Sequence, residues 1–241
     1  GIAIAFRCSQ PAGVPRLQSL TPRDADIPGD RVNVFIDFNG DGETAYNFTI
    51  ALSGAIQDAT ITNENYYSPD WDGDWKHAVA ETDTGWSAEF LIPWTVASMK
   101  GSGAPKRTIA LMFDRVLGHS SERSGFPVAS FRRPRFVSEF SKVEIEQYQA
   151  SIFQVFPYVS TNYDFVGDAG DAKAGADLYW KPSGDLQLTA ALNPDFGQVE
   201  ADELVVNFDA IETFFSDKRP FFTENQGLFD LRTPDSGLLI Y

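Results

Sequence analysis

The alternation of apolar and polar positions along this chain reads as strands. Runs rich in Phe, Tyr and Val repeat with period two, separated by clusters of Gly, Asp, Asn and Pro. Helical spacing is scarce. The pattern predicts strands at residues 2–8, 31–38, 44–52, 55–62, 75–81, 85–92 and 107–116. Short strands at such intervals point to an antiparallel β-sandwich. VNVFIDF and ETAYNFTI flank NGDG, whose residues tolerate the positive φ of a tight hairpin turn. In GWSAEFLIPW, Trp86, Ala88, Phe90 and Ile92 point one way and Ser87 and Glu89 the other, which is a half-buried strand. PWTVASMKGSG predicts a short helical turn before a loop.

The character changes near residue 145. SIFQVFPYVSTNYDFV, KAGADLYWK and DLQLTAALN alternate over longer stretches. Leu186, Leu188, Ala190 and Leu192 form one face, and Gln187, Thr189, Ala191 and Asn193 the other. A membrane β-barrel strand shows this pattern, and so does a strand of a soluble sandwich. The expected organisation is all-β: an antiparallel sandwich over residues 1–143, then β-rich, barrel-forming strands over 144–241. The one substantial helix candidate is 208–216. The opening GIAIAFRC already looks like a strand, which predicts a piece of a longer protein whose sandwich lacks its first strands.

Composition narrows the partners. Of 241 residues, 43% are hydrophobic and 14% aromatic, too many for a disordered chain. The net charge is −15, which repels phosphate backbones and argues against nucleic acid. Residues 105–142 run the other way, with eight Lys or Arg against three Asp or Glu. The single cysteine, Cys8, excludes an intrachain disulfide and reads as a small buried strand residue. No apolar run reaches the roughly 18 residues of a transmembrane helix.

Residues 1–142, through DRVNVFIDFNGDGETAYNFTI, WDGDWKHAV and GWSAEFLIPW, resemble carbohydrate-binding module family nine, in the variety found at the front of bacterial outer-membrane proteins. ALNPDFGQVEADELVVNFDAIETFFSDKRPFF, within residues 190–223, resembles the signature of the uncharacterised domain that follows that module. The resemblance implies a Gram-negative outer-membrane location. It also implies that the second part begins a β-barrel longer than the chain present here.

Several residues are candidates for chemistry. Asp37, Asn39 and Asp41 place oxygens at alternate positions before Gly42, like the front half of a calcium loop. Phe48 stands where that loop's bidentate Glu belongs, and a polar hairpin turn without metal explains the same residues. Sandwich modules of the resembled type often hold structural Ca2+. Sugar binding needs flat aromatic faces and fixed polar groups. Trp71 is the first candidate, then Trp75 and Tyr67, with Asp70 and Asp72 as hydroxyl acceptors. Closing the sandwich's end is the other reading of Trp71. His119, Ser120, Ser121 and Glu122 hold triad residue types but sit together in a loop, where triads rarely form. Arg123, Arg132, Arg133 and Arg135 interleave with Phe126, Phe131 and Phe136, which suits anionic lipid head groups or pairing with the chain's own acids.

The sequence therefore predicts a non-catalytic glycan-binding or docking module of an outer-membrane protein. The alternative is a structural or assembly domain without a sugar ligand. A hydrolase acting on O-glycosyl bonds comes third and requires a carboxylate pair flanking a cleft.

Overall fold

A computed structural model describes residues 1–101, 104–147, 151–183 and 186–193. They fall into two compact units, one ending before residue 149 and one beginning after it. The first contains β1 (Ile2–Ser9), β2 (Arg31–Asp37), β3 (Thr44–Ala51), β4 (Ile56–Thr62), β5 (Tyr66–Ser68), β6 (Lys76–Thr82), β7 (Gly85–Ile92), β8 (Lys106–Leu117), β9 (Glu122–Phe126) and β10 (Ser141–Glu146). All ladders are antiparallel.

A three-stranded sheet runs β1-β7-β6, and a seven-stranded sheet runs β10-β8-β2-β3-β4-β5 with β9 also on β8. The long β8 gives Lys106–Leu111 to β10 and Phe113–Leu117 to β9, one after the other. The two sheets share one core. Cys8, Trp86, Ala88, Phe90 and Ile92 from the small sheet meet Val32, Val34, Ile36, Phe48 and Ile50 from the large one. This is the antiparallel sandwich the alternation predicts.

The large sheet is covered on its outer face as well. Phe35, Ala45, Ile61, Ala110 and Met112 project away from the shared core, and Phe136, Val137 and Phe140 lie on them. That double burial explains why β2, RVNVFID, is buried at every position after Arg31. The PWTVASM stretch does form a turn of 3-10 helix, Trp94–Val96.

The second unit contains β11 (Ile152–Asp164), β12 (Ala169–Ser183) and β13 (Leu186–Leu192), ordered β11-β12-β13 and antiparallel. Register fixes its two faces. Phe153, Val155, Pro157 and Val159 stand opposite Trp180, Leu178, Ala176 and Ala174. Leu178 and Trp180 in turn stand opposite Ala190 and Leu188. The other face carries Gln154, Tyr158 and Ser160 against Tyr179, Gly175 and Lys173, and Phe156 and Ile152 against Asp177 and Lys181. No sheet closes into a barrel among the described residues. The helix expected at 208–216 lies outside the described residues, and so does the signature within 190–223 beyond residue 193.

Candidate functional site

Asp37, Asn39 and Asp41 come together at the β2–β3 turn. Asp37 is fully buried, and its carboxylate serves the turn itself. Oδ1 accepts the N–H of Asn39 at 2.9 Å and of Gly40 at 2.8 Å, and Oδ2 accepts the N–H of Gly42 at 2.8 Å. Burial raises the Asp37 carboxyl, and those backbone bonds pull against it. Gly40 and Gly42 have φ of 64° and 81°, and a Cβ on Gly40 would lie 2.9 Å from the carbonyl oxygen of Thr108. The Lys100 ammonium reaches Asp41 Oδ2 at 2.7 Å and Glu43 Oε2 at 3.1 Å, and the Lys100 N–H donates to Asn39 Oδ1 at 2.9 Å. The oxygens proposed for calcium thus meet internal donors, with Lys100 as the local cation.

Trp71 and Trp75 are each only 7% exposed. Trp71 packs against Tyr46 and Phe48 at 4.8 and 5.9 Å between ring centroids. Trp75 stacks on Phe90 at 5.7 Å and meets Phe48 edge-on at 5.4 Å. Neither offers a flat face to solvent. The polar surroundings in SPDWDGDW conceal this, because Asp72 and Asp74 stay exposed while both rings turn inward. Gly73 permits it: a Cβ there would lie 2.6 Å from the Trp71 ring. Tyr67 differs, being 37% exposed. Its hydroxyl end faces inward and donates to the buried Asn47 Oδ1 at 3.3 Å. Burial, then the charges of Asp24 and Asp58, push its phenol up to about 12. Asp70 accepts from the Ser68 hydroxyl at 3.2 Å.

Asp72 belongs to a cluster that local spacing did not reveal. Asp24, Asp58 and Asp72 bring one oxygen each within 4.8 Å of one another. Asp58 lies on β4 with no exposed surface. Its Oδ2 accepts from Arg23 Nη2 and Trp75 Nε1, both at 2.7 Å, and from the Gly73 N–H at 2.9 Å. Its Oδ1 is buried without a hydrogen bond. Asp24 Oδ1 accepts the Asp58 N–H at 2.8 Å. Arg23 Nε lies 3.0 Å from Asp72 and 3.7 Å from Asp24, so one guanidinium meets all three carboxylates. Burial raises the Asp58 carboxyl more than Arg23 lowers it. Desolvation opposes the charge on Arg23, but the three carboxylates outweigh that and hold it more firmly protonated than usual. The arrangement ties the segment before β2 and the segment before β6 to β4 of the large sheet.

A second buried polar group lies on the outer face of the large sheet. The Thr49 hydroxyl donates to Asn33 Oδ1 at 2.6 Å, the Asn33 amide donates to Asp114, and Arg123 Nη1 reaches Asp114 Oδ2 at 2.7 Å. His119, Ser120, Ser121 and Glu122 form the β8–β9 turn, where Ser120 Oγ accepts the Glu122 N–H at 3.3 Å. Cys8 is 3% exposed, and burial raises its thiol, as suits a packing residue.

The described residues are thus an all-β chain with a sandwich and a separate three-stranded antiparallel sheet. Residues 152–233 match the profile of a domain family of unknown function, DUF5916, and the match begins at the first residue of β11. No curated protein matches the chain.

Proposed function

We propose that this chain is a non-catalytic docking or assembly part of a bacterial outer-membrane protein, with β11–β13 belonging to the wall of a transmembrane β-barrel. The observation that carries the reading is an inverted sheet. In water, apolar faces are buried and polar faces exposed. Here Phe153, Val159 and Leu192 on the apolar face are 63%, 75% and 64% exposed, while Asp177 and Lys181 on the polar face are 6% and 5% exposed. A bilayer reverses the preference, with lipid outside and polar groups inside. Aromatic residues stand near both ends of the apolar face, Phe153 beside Trp180 at one and Tyr163 at the other. The ten residue steps from Phe153 to Tyr163, at about 3.3 Å each and a tilt of about 40°, rise about 25 Å, the height of a barrel's apolar band. No helix among the described residues is long and apolar enough to cross a membrane, which leaves strands unaffected.

Site-directed labelling tests this. Val155→Cys, Val159→Cys and Lys173→Cys, each in a Cys8→Ala background, would carry an environment-sensitive fluorophore. In lipid vesicles the labels at 155 and 159 shift to the blue and the label at 173 does not. Equal shifts at all three positions overturn the reading.

Glycan binding is the second reading, now supported by Tyr66 and Tyr67, which are 40% and 37% exposed. A glycan array with calcium and then with chelator tests sugar and metal together. Binding lost in Tyr67→Ala supports it; no binding under either condition removes it.

A further inference from the structure

We infer that the segment from Phe126 to Arg135 is a membrane-surface contact that recognises the phosphate head groups of anionic phospholipids. Three observations carry this. First, Arg132, Arg133 and Arg135 are all exposed, and their guanidinium groups make no ion pair among the described residues. No Asp or Glu occurs between Arg123 and Glu139, so three cations stand together in a chain whose net charge is −15. Second, apolar side chains stand bare beside them: Phe126 is 67% and Val128 74% exposed. Bare apolar groups interleaved with arginines suit the boundary between head groups and acyl chains.

Third, the segment is held from beneath and does not depend on the arginines for its shape. Phe131 stacks on Phe136 at 3.9 Å, and Phe136 meets Phe35 edge-on at 5.4 Å. Asn65 Nδ2 donates to the carbonyls of Arg133 and Pro134 at 2.8 and 3.3 Å. Glu64 Oε2 accepts the N–H groups of Phe136 and Ser138 at 2.9 and 3.0 Å. The cations are therefore presented on a braced loop, which lowers the ordering cost of contact. The choice of a membrane as the surface rests on the barrel reading; the charge recognition does not.

The test is flotation of the full chain with vesicles of phosphatidylcholine alone and of phosphatidylcholine mixed with phosphatidylglycerol. The wild-type protein favours the anionic vesicles, and added salt removes the preference. Each arginine at an anionic surface favours binding about fivefold, so R132Q/R133Q/R135Q lowers the anionic preference about 100-fold. The corresponding triple lysine variant keeps most of it. Phe126→Ser with Val128→Ser weakens binding to both vesicle types. Val159→Asp in the second unit serves as the separating control. It lowers binding to neutral vesicles if the barrel reading holds, and it leaves the anionic preference in place. Equal wild-type binding to both vesicle types overturns the inference. So does a folded triple glutamine variant that binds anionic vesicles like wild type, as would happen if these arginines serve an acidic protein partner instead.

Discussion

The two units use the same alternation and bury opposite halves of it. In the sandwich, Trp86, Phe48 and Phe90 point inward and are at most 1% exposed. In the second unit, Phe153, Val155 and Val159 are exposed, while Asp177, Tyr179 and Lys181 are buried together with Ser160 and Ile152. Period two says that a strand has two different faces. It does not say which face meets solvent, because that depends on what the solvent is. The cross-strand register and the exposure of paired residues decide it, and here they give different answers on either side of residue 149.

The strongest way to break this comparison is to truncate one aromatic residue in each unit. Phe48→Ala, between the two sandwich sheets, should cost about 4 kcal/mol in denaturant unfolding. Phe153→Ala should change aqueous stability by less than about 0.5 kcal/mol. Equal losses would mean that both faces are ordinary cores. Val159→Arg sharpens the point from the membrane side. It should weaken lipid-dependent folding by about 3 kcal/mol and leave the sandwich's melting transition unchanged.

Arg23→Ala tests how the sandwich tolerates internal charge. It strips the buried Asp58 of its cation and should cost about 2 kcal/mol, the lower end for such pairs because Arg23 is about a third exposed. The pH sign follows from the raised Asp58 carboxyl. A folded-state value above the unfolded one means that the folded protein holds the proton more tightly. The variant should therefore regain stability as pH falls from neutral toward the ordinary carboxylate range. Midpoints that do not move with pH would remove Asp58 as the cause.

Glu64→Gln should have the smallest effect, about 0.5–1 kcal/mol, read in the same unfolding assay. Burial works against the Glu64 charge, but the N–H bonds from Ser138 and Phe136 prevail and hold its carboxyl below the usual range. Its contribution is present above the unfolded value near 4.3 and is lost as pH falls through the lower folded one. The wild type should show that loss and the variant should not.

Much of the fold was legible in the sequence where a face was half-buried. Trp86, Ala88, Phe90 and Ile92 alternate cleanly, and all four are buried on β7. β5, β9 and β10 escaped the pattern. Glu122–Phe126 is exposed at every position, and its strand conformation comes from pairing with β8. The Asp24–Asp58–Asp72 cluster was also out of reach. Its members belong to three separate segments that only sheet pairing and Arg23 bring together. The turn at Asp37–Gly42 was readable as a turn, but the donors that engage its oxygens include Lys100, which lies far along the chain. Trp71 and Trp75 mark the remaining limit. Residue type suggests an aromatic platform, whereas the path of the loop carries both rings inside.

Under the proposed barrel reading, the inverted sheet also bears on how such a chain would survive before it reached a bilayer. Among the described residues, β11 and β13 each have a partner on one side only, and the face between them is greasy. Open edges beside exposed apolar side chains invite pairing with another copy. The described strands of the sandwich also leave edges at β1, β6, β5 and β10, but their apolar faces are buried in a shared core. On the barrel reading, the later strands are a hazard in transit: soluble custody would have to shield them until lipid takes over, and a delay would favour precipitation.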